Sequence, residues 1–280
     1  MENKQDIYGV GTFGRNIRKL KTKMCNKLEE VFPNATYVNH PNLFALERDK
    51  KLMKEVLKRN GISVAPSIPK DISVIDEELN KGTIIFVKAR YGSMGKGITR
   101  LSKDKWFTNY KYDGINIQNH EQDGGWESID ITNNYSFLEK LLKEDIIVEK
   151  GLEAPDFKFD IRGVFVYGKL REIYGRTTKN SHITNLSQGG TELEYEFLEK
   201  VLGKTKLAQG INEMQKTCNL ICANLIGVDL IYDNELNPYI LEVNSFPGLG
   251  HGKKEKEIQS KILREVHFSI ENDILMKSLN

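Results

Sequence analysis

The stretch that decides the fold is residues 226–250, which read IGVDLIYDNELNPYILEVNSFPGLG. Branched and aromatic side chains dominate residues 226–232, turn-forming residues fill 233–238, and a second apolar run covers 239–243. Two apolar runs on either side of a segment rich in Asp, Asn and Pro are typical of β-strands joined by a turn. The stretch therefore predicts an antiparallel hairpin.

Three oxygen-bearing side chains occupy fixed places on this hairpin: Asp229 on the first strand, and Glu242 and Asn244 on the second. Residues two apart on a strand point to the same face, and residues on antiparallel neighbours can face one another. Such oxygens suit Mg²⁺, which keeps some waters and shares its other positions with phosphate. We therefore predict a metal site here; the alternative is that the two acids are ordinary polar residues of a hairpin.

Composition and charge are those of an ordinary globular protein. The 280 residues include 29% charged and 39% hydrophobic side chains, and the net charge is +2. This length suits one domain, or one domain with lobes. The balanced charge implies no nucleic-acid partner, and no apolar run is long enough for a membrane span. Because the N-terminus lacks a signal peptide and three cysteines argue against a disulfide framework, we expect a cytoplasmic protein.

A glycine-rich loop follows a predicted strand at 83–89, TIIFVKA, which carries Lys88 near its end. Glycines allow backbone N–H groups to approach phosphate oxygens closely, and the lysine places a cation beside them. The loop is not a Walker A motif, because the pattern G-x4-G-K-[ST] is absent and a strand follows. The predicted phosphate-binding residues are Gly92, Ser93, Met94, Gly95 and Gly97.

The N-terminal region carries a second glycine pattern, G-x-G-x-x-G, within residues 8–14. A dinucleotide-binding loop requires a buried strand before it, and only a short polar segment precedes this one. We therefore interpret the glycines as a turn or mobile segment ahead of a basic helix over 15–30. A short strand and loop are expected over 34–44, and a helix over 46–60.

A further hairpin is predicted over 159–176, where two apolar runs flank a Gly-Lys turn. Asp160 and Arg162 are two apart and share one face, Arg176 ends the second strand, and Asn185 follows. Guanidinium groups bind phosphoryl and carboxylate oxygens through paired hydrogen bonds. The two arginines are therefore candidates for binding a transferring phosphoryl group or a carboxylate; the alternative is that they are surface arginines of a sheet.

Four pieces of the sequence, in order, resemble the ATP-grasp superfamily, in particular its YheC/YheD-like (spore-coat-associated) and RimK-like carboxylate–amine ligases. They are Lys88 with its glycine loop, the strand end VEKGLE at 148–153, the D-x-R…R…N string, and the D…E-x-N of the hairpin. The resemblance covers residues 46–250. It implies an α/β (α+β) ATP-grasp fold, in which two lobes with antiparallel sheets clasp ATP.

The resemblance also implies a division of the chain. Residues 1–45 would form a shortened N-terminal segment, and residues 46–280 the ATP-grasp domain, with its first lobe ending near residue 145 and its second starting near 146. Family members usually carry a longer N-terminal α/β domain that helps to bind substrate. Either substrate binding is reduced here, or a second copy of the chain or a partner protein supplies the missing part.

Residue roles follow from the resemblance. It implies ATP with one or two Mg²⁺ ions, or Mn²⁺, and a reaction that joins a small-molecule or peptide carboxylate to an amine through an acyl phosphate. Two alternatives stay open: a kinase that phosphorylates a hydroxyl, and a non-catalytic nucleotide-binding protein of the spore-coat type. The implied sites beyond the glycine loop are nucleotide-binding Lys50, Lys88, Glu149, Lys150, Leu152 and Asp160, metal-binding Asp229, Glu242 and Asn244, and catalytic Arg162, Arg176 and Asn185.

Overall fold

The structure is a computed structural model of the chain. It describes residues 7–35, 37–119, 126–152, 159–178, 184, 190–248 and 255–278. The helices in these ranges are α1 (Gly11–Val31), α2 (Pro41–Glu47), α3 (Lys50–Arg59), α4 (Ile72–Asn80), α5 (Tyr135–Leu142), α6 (Tyr195–Ile221) and α7 (Glu255–Ser278).

Within the described ranges, the strands form two five-stranded antiparallel sheets and one short ribbon. They are β1 (Ile85–Ala89), β2 (Ile98–Leu101), β3 (Trp106–Thr108), β4 (Lys111–Tyr112), β5 (Ile117–Gln118), β6 (Ile129–Asp130), β7 (Ile146–Lys150), β8 (Phe159–Val166), β9 (Lys169–Thr177), β10 (Thr191–Leu193), β11 (Leu225–Tyr232) and β12 (Pro238–Asn244). The first sheet has the order β6-β3-β2-β1-β7, the second has the order β10-β9-β8-β11-β12, and β4 pairs with β5.

Burial along the central strands follows from what covers each sheet. In β1, buried residues alternate with half-buried ones, because successive side chains point to opposite faces. In contrast, β8 is buried along its whole length. Phe165 packs in a core shared with α6, whereas Val164 and Val166 pack against Ile262 of α7. Since helices cover both faces of the second sheet, its middle strand is a continuous apolar run broken only by Asp160 and Arg162.

The stretch 226–244 forms the predicted hairpin. Strands β11 and β12 pair antiparallel, with Asp229 opposite Glu242. On its other side β11 pairs with β8, which places Asp229 opposite Arg162. The hairpin over 159–176 is confirmed as well, and Asp160 lies opposite Arg176 in it.

The N-terminal region differs from expectation. The helix expected over 15–30 already begins at Gly11, so Gly14 is helical. A Cβ atom on Gly14 would lie 2.4 Å from the ring of Tyr91, so only glycine lets α1 pack this closely on the loop after β1. The strand expected over 34–44 does not occur among the described residues there. Instead α2 starts at Pro41, whose fixed φ suits a first helical turn.

The single helix expected over 46–60 is split into α2 and α3. Asp49 lies at the break and caps α3, accepting a hydrogen bond of 3.1 Å from the backbone N–H of Leu52. Its buried carboxylate also accepts two hydrogen bonds of 2.7 Å from the guanidinium of Arg90. The break thus fixes the start of α3 against the segment that follows β1.

The chain passes from the first sheet to the second later than expected. Strand β7 pairs antiparallel with β1, so residues 146–150 belong to the first sheet. The change of sheet therefore follows Lys150 rather than residue 145, because β7 completes the edge of the first sheet before the chain crosses.

Candidate functional site

A cavity of about 410 Å³ lies between the loop that follows β1 and the strands β8, β9 and β12 of the second sheet. Helices α1 and α2 also contribute to its wall. Its volume falls in the range of small-molecule sites in proteins. The predicted site residues that line the cavity are Lys50, Gly92, Ser93, Met94, Arg162, Arg176, Glu242 and Asn244.

Two arginines and two aspartates form a buried network on the second sheet, here named the arginine–aspartate cluster (Asp160, Arg162, Arg176, Asp229). Arg176 donates to Asp160 at 2.6 and 2.8 Å and contacts Asp229 at 2.9 Å. Arg162 also donates to both oxygens of Asp229. The strand registers place Asp229 opposite Arg162 and Asp160 opposite Arg176, and Arg176 reaches Asp229 across the intervening strand β8.

The charges of this cluster hold one another in place. Burial would raise the pKa of Asp229, but the guanidinium groups of Arg162 and Arg176 outweigh that effect and hold the pKa at about 2. The cluster holds two cations and two anions and is therefore balanced. The hydroxyl of Thr184 donates to Asp160 at 2.6 Å and completes the partners of that carboxylate in the described residues.

The predicted metal ligands lie close together on the hairpin, but Asp229 is engaged. Its two oxygens face the arginines, whereas Glu242 and Asn244 line the cavity. Glu242 accepts a hydrogen bond of 2.5 Å from Lys50, and the side-chain amide nitrogen of Asn244 is buried without a partner in the described structure. Rotating that amide would present its oxygen instead. The donor set of two carboxylates and an amide fits Mg²⁺. To bind the ion, Asp229 would replace its contacts to the arginines with contacts to the metal.

A second charged network, the lysine–glutamate cluster (Lys54, Lys88, Glu149), lies on the first sheet. Glu149 of β7 is buried and forms ion pairs with both Lys88 of β1 and Lys54 of α3. Lys88 lies diagonally across the β1–β7 ladder from Glu149, on the same face. With two amines for one carboxylate, this cluster carries an excess of positive charge.

Burial dominates the protonation of these amines. It lowers the pKa of Lys88 to about 8, and the neighbouring Lys50 cation adds to the effect. Burial also lowers the pKa of Lys54 well below its usual range, with Lys88 and Lys50 contributing. An anionic ligand placed beside Lys88 would reverse this shift, since it stabilises the charged form.

The glycine loop connects β1 and β2 as predicted, but only its first half lines the cavity. Gly95 and Gly97 are not part of that wall; a Cβ on Gly97 would lie 2.7 Å from the hydroxyl of Tyr110, so Gly97 is a packing position. Met94 has a φ of 59°, a left-handed conformation uncommon for residues other than glycine.

The remaining predicted residues that the structure describes, Lys150 and Leu152, are not among those that line the cavity. The side chain of Lys150 contacts Glu78 of α4 at 2.7 Å, on the other side from Glu149, so it does not join the lysine–glutamate cluster. Leu152 is half-buried just after β7. Asn185 lies outside the described residues.

Sequence reasoning missed residues that the fold brings to the site. Lys54 is four residues after Lys50, which puts both amines on one face of α3. This spacing could have identified Lys54 as a second lysine of the site from the sequence. Lys21, Phe44, Arg48 and Phe246 line the cavity, but nothing in their local sequence indicates it. Their placement depends on how α1 and α2 pack.

Two features are absent from the part of the chain that the structure describes. No group of three or more His, Cys, Asp or Glu side chains there is arranged to hold a metal ion, so the candidate metal site depends on the amide of Asn244. Within the same ranges, no helix has the length and apolar character needed to cross a membrane.

Comparison with protein families matches residues 48–268 to the YheC/D-like ATP-grasp family. Among curated proteins, the probable tubulin polyglutamylase ttll-9 of Caenorhabditis elegans is 27% identical over 113 residues. That match covers 30% of this chain and 27% of the relative, so the chain spans about a quarter of the length of the curated protein.

Solved structures share the fold at low sequence identity. D-alanine–D-alanine ligase from Bacillus anthracis, complexed with ATP, is 16% identical with a TM-score of 0.56, covering 91% of this chain and 76% of that one. The D-cycloserine synthetase DcsG is 13% identical with a TM-score of 0.54, covering 92% of this chain and 80% of that one. These likenesses extend over nearly the whole chain and concern its fold.

Proposed function

Because this chain belongs to the YheC/D-like ATP-grasp family, we propose that it is an ATP-dependent carboxylate–amine ligase that uses Mg²⁺ and forms ADP. Its two antiparallel sheets with helices are the ATP-grasp fold that the sequence predicted. The substrates are a small-molecule or peptide carboxylate and an amine.

One observation carries the proposal: residues of the glycine loop, the arginine–aspartate cluster and the D…E-x-N hairpin line a single cavity. Each group supports a different part of phosphoryl transfer from ATP. The loop offers backbone N–H groups to phosphates, the arginines offer paired donors to phosphoryl oxygens, and the hairpin offers oxygen ligands to a divalent cation. Phosphoryl transfer needs positioning and charge stabilisation more than a protein nucleophile.

The lysines supply the nucleotide side of the site. Lys88 and Lys50 provide cations for the phosphates, and both lysines of the lysine–glutamate cluster pair with Glu149 at the end of β7. When bound, Mg²⁺ would neutralise phosphate charge and orient the nucleotide, with Glu242, Asn244 and Asp229 holding it.

The reaction follows from these roles. A carboxylate oxygen of the substrate attacks the γ-phosphorus of ATP, ADP leaves, and an acyl phosphate forms. The amine nitrogen then attacks the acyl carbon, inorganic phosphate leaves, and the amine proton passes to solvent. Arg162 and Arg176 stabilise the negative charge that develops on the phosphoryl group and on the tetrahedral carbon.

A turnover assay tests the proposal. The protein is incubated with ATP and Mg²⁺ in pools of amino acids and short peptides, and ADP, phosphate and product masses are followed. We expect ADP and phosphate release that depends on an acid–amine pair, with a product mass equal to their condensation. A phosphorylated substrate without free phosphate would indicate a kinase, and nucleotide binding without turnover in any pool would indicate a non-catalytic protein.

A further inference from the structure

One part of the cavity wall has no role in the proposed nucleotide and metal chemistry. It consists of Lys21, Phe44, Arg48 and Phe246, here named the N-terminal wall because three of the four lie within the first 48 residues. Helix α1 carries Lys21, and α2 carries Phe44 with Arg48 at its C-terminal end. The short segment before residue 48 thus contributes directly to the site.

The two cations of this wall differ from the others in the cavity. The arginine–aspartate cluster is balanced internally, and Lys50 is paired with Glu242. Within the described ranges, no carboxylate lies at ion-pair distance from Lys21 or Arg48.

The acid of α2, Glu47, has a hydrogen-bond partner of its own. The carboxylate of Glu47 accepts a hydrogen bond of 2.5 Å from the backbone N–H of Ser245 and is directed there. Burial lowers the pKa of Lys21 and the repelling charge of Arg48 lowers it further, while the nearby carboxylate of Glu47 offsets part of this shift. A bound anion would relieve that repulsion.

An aromatic surface adjoins the two cations. The rings of Phe44 and Phe246 stack with centroids 4.8 Å apart and an interplanar angle of 19°. The amine of Lys21 lies 5.8 Å from the centroid of Phe44. Phe246 is nevertheless 77% exposed, so it presents an apolar face at the cavity. Covering such a face with an apolar group stabilises a complex.

We propose that the N-terminal wall binds the carboxylate of a substrate whose side chain is aromatic or otherwise large and apolar. Lys21 and Arg48 bind the carboxylate, and Phe246 stacks against the side chain. This assignment rests on the proposed ligase function and names the substrate class of the same cavity. A free amino acid and the C-terminal residue of a peptide present the same chemistry.

Direct titration tests the assignment without requiring turnover. Phenylalanine and the dipeptide alanyl-phenylalanine are titrated calorimetrically into the protein, with and without ADP and Mg²⁺. Phenylalaninamide, which lacks the carboxylate, and alanine, which lacks the ring, are the comparison probes. We expect phenylalanine, the dipeptide or both to bind at least about tenfold more tightly than either comparison probe. Which of the two binds distinguishes a free amino acid from a peptide terminus.

Matched variants locate the binding. Lys21→Gln and Arg48→Gln are expected to weaken binding of the carboxylate probe at least about tenfold. Phe246→Ala is expected to weaken it about fivefold or more. Lys23→Gln, exposed on the same helix, and Phe268→Ala, 64% exposed on α7, are the controls and are expected to leave binding unchanged.

Three results would overturn the assignment: neither carboxylate probe binds, the amide or alanine binds equally well, or the wall variants behave like their controls. An equal loss of ADP affinity in Lys21→Gln would also overturn it, by placing that cation at the nucleotide. Failure of the ligase proposal would be seen in other measurements: ADP would not bind, or no pool of amino acids and peptides would support turnover. The probe titration would still show whether the N-terminal wall binds a carboxylate.

Discussion

The two charged clusters of this protein are built on opposite principles. On the first sheet, two lysines share one glutamate, and burial lowers the pKa of both amines. On the second sheet, two arginines are matched by two aspartates, and the arginines hold the pKa of Asp229 at about 2. The first cluster therefore has more cationic than anionic groups, whereas the second has equal numbers of both.

This difference in charge indicates which ligand each cluster would bind. An excess of buried positive charge is completed by an anion, which suits nucleotide phosphates. A balanced network keeps its shape without a ligand, and its arginines become available when Asp229 turns to a cation. The first sheet is thus expected to govern nucleotide affinity, and the second to govern stability and the metal-dependent step.

The largest effect is expected from breaking the balanced cluster. Asp229→Asn leaves two buried guanidinium groups with too little negative charge, and loss of one partner from a buried ion pair costs about 3–5 kcal/mol. Urea unfolding measures the loss of stability. Glu235→Gln, in the exposed turn of the same hairpin, is the control and should change stability by less than about 0.5 kcal/mol. Equal stability of the two variants would mean that the cluster is not a structural unit.

The next largest effect is on nucleotide affinity. Lys88→Ala removes a charged donor from the phosphate side, which corresponds to a loss of about 1.5–3 kcal/mol in binding. Calorimetric titration with ATP measures it, with Lys105→Ala as an exposed control outside the cavity. Unchanged ATP affinity in Lys88→Ala would remove this residue from the nucleotide site.

Raising the pH should imitate that substitution. Because the pKa of Lys88 is about 8, its amine is charged below that pH and neutral above it. Nucleotide affinity should therefore be highest below pH 8 and fall about tenfold between pH 7 and 9. In Lys88→Arg the cation persists, so the fall should disappear. A decline of the same size in that variant would assign the titration to another group.

The smallest effect is expected from Lys54→Met. This change removes one of two amines and leaves Glu149 paired with Lys88, so the cluster becomes balanced instead of broken. Stability should change by less than about 1 kcal/mol, because Glu149 keeps Lys88 as its partner and no buried charge is left unpaired. A loss as large as that of Asp229→Asn in urea unfolding would show that the two clusters do not differ in the way described.

Local pattern was sufficient for the elements that carry the site. The hairpin of Asp229 and Glu242, the loop after Lys88 and the hairpin of Asp160 and Arg162 were all predicted, because alternation and turn residues are local signals. The break at Asp49 was missed although Asp is a favoured N-cap residue, because no proline or glycine marks it in the sequence.

Contacts between distant elements were not predictable in the same way. That Asp229 pairs with Arg162 depends on β8 lying beside β11, and that Lys54 meets Glu149 depends on α3 packing against β7. The N-terminal wall is a similar case, because Lys21 carries no signal that distinguishes it from the other lysines of a basic helix. These contacts are set by tertiary packing, which a periodic pattern does not specify.

The most direct test of the account is the effect of Mg²⁺ on ADP affinity, measured by calorimetry in the wild-type protein and in Glu242→Gln. If the hairpin holds the cation beside the nucleotide, Mg²⁺ should tighten ADP binding about tenfold in the wild type and less than about twofold in the variant. Equal tightening in both proteins, or none in the wild type, would contradict the placement of the metal and nucleotide in this cavity.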